Sequence, residues 1–91
     1  MIQQNPVDLI QGALEVMGLP SMVSWKEIKE RYRLLSKKYH PDRGGESQKM
    51  AELNRAYHIL KTYIENYRFS FSEEEILKQF PYNEYIHKFR F

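Results

Sequence analysis

His40-Pro41-Asp42 is the point at which this chain must turn. Ser24 to Tyr39 precede it, and Glu46 to Tyr67 follow it beyond Arg43-Gly44-Gly45; both flanks carry the apolar periodicity of amphipathic helices. Pro41 has no N–H and its ring clashes with a preceding helical turn, so it cannot continue the first helix. It also drives His40 out of the α region, which predicts a helix end at Tyr39. Gly44 and Gly45 can both take positive φ and let the chain reverse. His40, Asp42 and Arg43 are therefore expected on an exposed loop held by two rigid arms, where recognition residues commonly sit.

The first arm opens with Ser24 and Glu27, a capping-box pair. Trp25, Ile28, Tyr32, Leu35 and Tyr39 share its apolar face, while Lys26, Lys29, Arg33 and Lys37 share the opposite one, with Arg31 and Lys38 nearby. Residues 26 to 38 hold six basic and two acidic side chains, a local excess of +4 against +2 for the whole chain. Charge focused in this way steers an acidic partner surface and sets its register.

The second arm is predicted from near Ser47 to about Asn66, with Met50, Leu53, Tyr57, Leu60 and Ile64 spaced 3, 4, 3 and 4. The connection from His40 to Glu46 is too short for anything but an antiparallel pair. Ala56 is expected to face the first arm and let the two backbones approach. Upstream, Asn5 caps a helix that begins at Pro6 and carries Val7, Ile10, Leu14 and Met17 on one stripe. Gly18 and Pro20 end it. This helix is expected to cover the other two.

Beyond Tyr67, Ser72 and Glu75 form a second capping box, and Ile76, Leu77 and Phe80 are the apolar residues of a short helix stopped by Pro81. Tyr82, Tyr85, Ile86 and Phe89 fit one more short helix or turn. The reading is an all-α chain, with residues 1–67 as the domain and 68–91 as a helical extension packed on it. The extension either enlarges the core or presents a docking surface for a client or a fusion partner.

Composition narrows the chemistry. Ninety-one residues, 42% apolar and 29% charged, suit one small globular domain. The absence of Cys excludes disulfides and thiolate zinc sites. His40, His58 and His87 show no metal-ligand spacing, and Glu73 to Glu75 read as helix-start carboxylates, so neither a metal nor a cofactor is expected. No apolar run approaches the roughly 20 residues that span a bilayer. The first residues lack the pattern of a signal peptide, so the expectation is a cytoplasmic protein without a membrane partner.

The whole pattern resembles the J-domain, the DnaJ-type co-chaperone module. The resemblance is carried by Ala13 to Leu19, Glu27-Ile28-Lys29, Tyr32-Arg33, Leu35-Ser36, Tyr39 to Arg43, Leu53-Asn54 and Ala56 to Leu60. It implies an antiparallel hairpin of helices II and III, joined by the His-Pro-Asp loop and covered by helix I. It also implies a partner, the ATPase domain of a DnaK-type heat-shock chaperone, whose ATP hydrolysis the module stimulates. The matching contact residues are His40, Pro41, Asp42 and Arg43 on the loop, and Lys26, Lys29, Arg33 and Lys37 on helix II.

Three positions depart from the family pattern: Leu34, where a basic residue is usual, and Met50 and Ala51, where Phe and Lys are common. Leu34 is expected to pack against the C-terminal segment or to widen the partner contact. Two other readings compete: a J-like scaffold that does not stimulate ATPase, and a basic-helix nucleic-acid binder. The loop is longer than a helix-turn-helix turn, and charge outside helix II is near balance, so nucleic acid is the weaker partner. An independent enzyme is the least favoured, because no nucleophile stands beside His40 and Asp42.

Overall fold

The helices of the computed structural model, which describes residues 5–80, begin and end on local signals. Helix α1, Pro6–Met17, is capped by Asn5, whose Oδ1 accepts the Val7 N–H at 2.7 Å. It closes on Gly18 in the left-handed region, φ 63°, whose N–H reaches the Glu15 carbonyl. Helix α2, Trp25–Tyr39, starts where Ser24 Oγ accepts the Glu27 N–H at 3.1 Å and donates to Glu27 Oε1 at 3.0 Å. A single 3-10 turn, Pro41–Arg43, leads to helix α3, Ser47–Glu65. Helix α4, Glu73–Gln79, is capped by Ser72 Oγ on the Glu75 N–H at 3.3 Å. Among the described residues there is no strand, and the fold is all-α. The expected stop at Pro81, the helix or turn around Tyr82 to Phe89, and His87 lie outside the described residues.

One side chain from each long helix is sealed from solvent: Met17 of α1, Ile28 of α2 and Leu53 of α3. Each such burial contributes on the order of 1.5–3 kcal/mol. Ala13, Ala56 and Leu60 complete the buried cluster, and Met50 fills its edge as a half-buried side chain. An aromatic seam zips α2 to α3. Tyr57 stacks on Trp25 with ring centroids 5.5 Å apart and on Tyr32 at 4.2 Å, and the Tyr32 hydroxyl donates to Asn54 Oδ1 at 2.7 Å. Further along, Lys49 Nζ lies 5.6 Å from the Tyr39 ring centre. Advancing from 25 to 39 on α2 thus meets 57, 54 and 49 on α3, the register of an antiparallel hairpin.

Ala56 is buried in the cluster that all three helices share. It shares a small cleft with Leu9, Gly12, Ala13 and Val16, so its missing bulk admits α1. On the α2 side of α3, Tyr57 meets Trp25 and Tyr32. Arg31 is withdrawn from the basic face. Its Nε donates to the Met17 carbonyl at 2.9 Å, satisfying an orphan acceptor at the end of α1 and placing a cation at that helix's negative pole. A Cβ at residue 18 would crowd Arg31 Nη2 at 2.9 Å, and the left-handed φ of 63° there favours glycine in any case.

The two turn glycines act by different means. Gly44 takes the positive φ, 80°, and its N–H returns to the Pro41 carbonyl at 3.1 Å. Gly45 does not take a positive φ. It lies against the Tyr39 backbone, where a Cβ would overlap the Tyr39 carbonyl, and its N–H donates to the His40 carbonyl at 3.1 Å. Close approach, rather than conformational freedom, is what excludes a side chain there.

The core cluster and the residues packed against it run from Ile10 to Ile64. Phe69 and Phe71 on the stretch before α4 are 71% and 83% exposed, and Leu77 on α4 is 60% exposed. Leu34 is 63% exposed and outside the core cluster. Its position on α2 between the apolar and basic faces turns it to solvent.

Two variants test these contacts. Gly45→Ala should lower stability in urea unfolding by about 1–3 kcal/mol, because the added methyl must displace the turn; an unchanged midpoint would show that the turn yields freely. Arg31→Leu keeps an apolar stem but orphans the Met17 carbonyl, and should lose about 1–3 kcal/mol in the same measurement. Equal stability would mean that water replaces the guanidinium at no cost.

Candidate functional site

The structure presents His40 and Asp42 at the end of the α2–α3 hairpin. His40 has left the helix for an extended conformation, φ −64° and ψ 128°, as a residue before proline must. Its ring then caps the 3-10 turn, with Nδ1 accepting the Asp42 N–H at 3.2 Å. That bond requires a lone pair on Nδ1, so the proton of the neutral imidazole sits on Nε2. The Asp42 carboxylate lies 3.6 Å from the same Nδ1. One nitrogen cannot accept from the amide and donate to the carboxylate at once, and the amide bond at 3.2 Å is the shorter of the two contacts.

Both side chains remain available to a partner. The His40 ring is 51% exposed and the Asp42 carboxylate 88% exposed. Pro41 holds the backbone between them at the start of the turn, where its missing N–H is not needed. Arg43 continues the turn in its backbone, while its side chain lies outside what is described. No nucleophile joins the group, and the arrangement offers an outward donor on His40 and a carboxylate able to receive an arginine fork.

Lys26, Lys29, Arg33 and Lys37 line one exposed face of α2, which at 1.5 Å per residue extends roughly 20 Å back from the turn. Among the described residues none of the four forms an ion pair with a carboxylate. Lys29 Nζ instead rests 5.7 Å from the Trp25 ring centre, which holds its stem along the helix. At the other end Lys38 Nζ lies 5.7 Å from the Tyr39 ring centre, joining Lys49 against the last residue before the turn. The two lysines in the final turn of α2, Lys37 and Lys38, also oppose the negative pole of that helix.

The loop residues and the helix face thus form one continuous, elongated surface. Arg31 does not belong to it. The contributions of Lys49 and Asn54 were not visible in the sequence, because each depends on a partner across the hairpin; the only signal was their helical phase relative to Tyr39 and Tyr32. Among the described residues no three His, Asp or Glu side chains gather where a metal ion could bind, and no helix is long and apolar enough to cross a membrane.

Comparison with known proteins fits this arrangement. Residues 13–68 match the family model of the DnaJ domain, from the second half of α1 to just past α3. The chain is 46% identical over 46 residues to chaperone protein dnaJ A6 of Oryza sativa subsp. japonica, covering 50% of this chain and 11% of that protein. It is 40% identical over 73 residues to DnaJ protein ERDJ3B of Arabidopsis thaliana, covering 76% of this chain and 21% of the relative. Chaperone protein DnaJ of Hydrogenobacter thermophilus is 41% identical over 54 residues, 56% of this chain and 15% of the relative. The chain therefore spans about a tenth to a fifth of the length of these relatives. No solved structure matches. With a three-helix hairpin fold, an exposed His-Pro-Asp turn and a family match over more than half its length, the chain belongs to the DnaJ domain family.

Proposed function

We propose that this chain is a co-chaperone module that docks on the ATPase domain of a DnaK-type chaperone and stimulates its ATP hydrolysis. The observation that carries the reading is the exposed basic face of α2, without an ion pair among the described residues, running directly into the exposed His40–Asp42 turn within a DnaJ domain. Hydrolysis takes place on the partner, and this chain contributes binding energy alone.

The division of labour follows from charge and rigidity. Lys26, Lys29, Arg33 and Lys37 bring an acidic surface into register and speed encounter. The turn then meets the partner with two groups of opposite capacity, the Nε2–H of His40 and the carboxylate of Asp42. Pro41 limits the conformations that the turn loses on binding. Stimulation requires that the turn bind the hydrolysis-competent conformation of the partner more tightly than the resting one. A tip held by the aromatic seam, the Gly45 contact and the Asp42 N–H bond can express such a preference, because its groups do not rearrange to suit both states. Leu34, exposed beside the basic face, adds apolar area to the same contact. The cytoplasmic setting expected from the sequence belongs to this proposal as well.

His40→Gln should abolish stimulation of steady-state ATP hydrolysis by a DnaK-type chaperone while leaving circular dichroism unchanged; a variant that stimulates like the wild type would falsify the mechanism. Reversing charge with Lys29→Glu and Arg33→Glu should weaken binding roughly tenfold or more at low salt, with a smaller loss at high salt. A loss independent of salt would point to misfolding instead.

A further inference from the structure

Just past the end of α3 the chain exposes an aromatic strip. Tyr67, Phe69 and Phe71 alternate with Arg68, Ser70 and Ser72, and residues 67–72 are neither helix nor strand. In an extended stretch alternate side chains share one side, and the Tyr67 and Phe69 rings do meet, with centroids 5.5 Å apart. The three aromatic residues are 52%, 71% and 83% exposed. At the same end of the domain, α1 and α3 leave an open apolar groove of about 670 Å³. Val7, Ile10 and Leu14 form one wall and Ile59 and Tyr63 the other, and among the described residues no Asp, Glu, Lys or Arg lines it. Tyr63 belongs to both features: it lines the groove and meets the Tyr67 ring edge-on at 5.7 Å. Contiguous apolar surface of this extent marks a site that a partner covers.

The partner has to cover two surfaces. The strip starts at the lip of its own groove and leads away from it, and none of its residues lines that groove. A free peptide seated in the groove would leave the strip bare, whereas a second copy of this chain supplies a groove for the strip and a strip for the groove. Both features sit beside the carboxyl end of α3, so one two-fold axis placed there sets each strip on the other copy's groove, a closed isologous contact. The lengths agree. Tyr67 to Phe71 spans roughly 13 Å when extended, and Val7 to Leu14 runs roughly 10 Å along α1. The area agrees as well. A buried aromatic side chain removes roughly 150–250 Å² from water, so the exposed share of the three offers about 400 Å² per strip. The groove wall beneath loses a similar area, and two strips on two grooves bury roughly 1,600 Å² in all, the size of a standard specific interface.

We propose that this chain forms a symmetric dimer in which Phe69 and Phe71 of each copy lie in the α1–α3 groove of the other, against Val7, Leu14 and Ile59. Tyr63 stands sixteen positions along α3 from Ser47, roughly 24 Å from the turn. The His40–Asp42 turn therefore stays free in both copies, and the inference does not rest on the co-chaperone reading.

Sedimentation equilibrium of the 91-residue chain tests it first. At about 100 µM, above the micromolar limit of interfaces this large, the mass should be twice the 11.0 kDa of one chain. A single-chain mass at that concentration would overturn the proposal. Phe69→Ser with Phe71→Ser, both outside the core, should leave circular dichroism unchanged and raise the dimer dissociation constant roughly tenfold or more. Val7→Ser with Tyr63→Ser should weaken the dimer from the groove side. A dimer indifferent to either pair is held together elsewhere, and the proposal fails. In a mixed sample of labelled and unlabelled chains, isotope-filtered nuclear Overhauser contacts are expected from the methyl groups of Leu14 and Ile59 in one copy to the rings of Phe69 and Phe71 in the other. Contacts confined within one chain, or made to other rings, would seat a different segment in the groove and overturn it.

Discussion

Met17, Ile28 and Leu53 meet in one buried cluster, and almost everything else about this protein follows from that contact. Each long helix contributes one fully sealed side chain, so the core draws on all three. A domain this small buries little surface, and its stability margin is correspondingly narrow. The helices are brought to the meeting point by different devices. Small residues, Ala13 and Ala56, let α1 approach α3, whereas large ones, Trp25, Tyr32 and Tyr57, fill the wider space between α2 and α3.

The aromatic seam has a second consequence. It fixes the register of the hairpin along its length, from Trp25 against Tyr57 to Tyr39 beside Lys49. The turn at its end inherits that rigidity. Gly45 lies against the Tyr39 backbone and His40 folds onto the Asp42 N–H, so the recognition groups are pinned from the helix side and within the turn itself. A tip pre-set in this way loses little entropy on contact, which suits a module whose proposed effect is to favour one state of another protein.

Polarity divides the molecule. Positive charge collects on the outer face of α2 and runs into the turn, while exposed apolar and aromatic side chains collect on α1, at the end of α3 and in the extension. The two surfaces are separated along α3, so events at one need not obstruct the other. Arg31 marks the boundary between them. It lies among the basic residues of α2 in sequence, yet it is spent on the α1 carboxyl terminus.

The sequence alone determined the helix ends and the exposed turn. Asn5, Ser24 and Ser72 cap, Gly18 closes, and Pro41 stops, each acting through residues at most four positions away. Periodicity likewise named Met17, Ile28 and Leu53 as inward-facing, since a helical stripe needs no knowledge of its partner. What only the tertiary structure decided was which neighbour each residue meets. Ala56 borders a cleft with α1, Arg31 bonds Met17, Gly45 is required by the Tyr39 backbone and not by its own φ, and Leu34 stays in solvent. Those outcomes depend on distances between segments far apart in the chain, which local propensity does not encode.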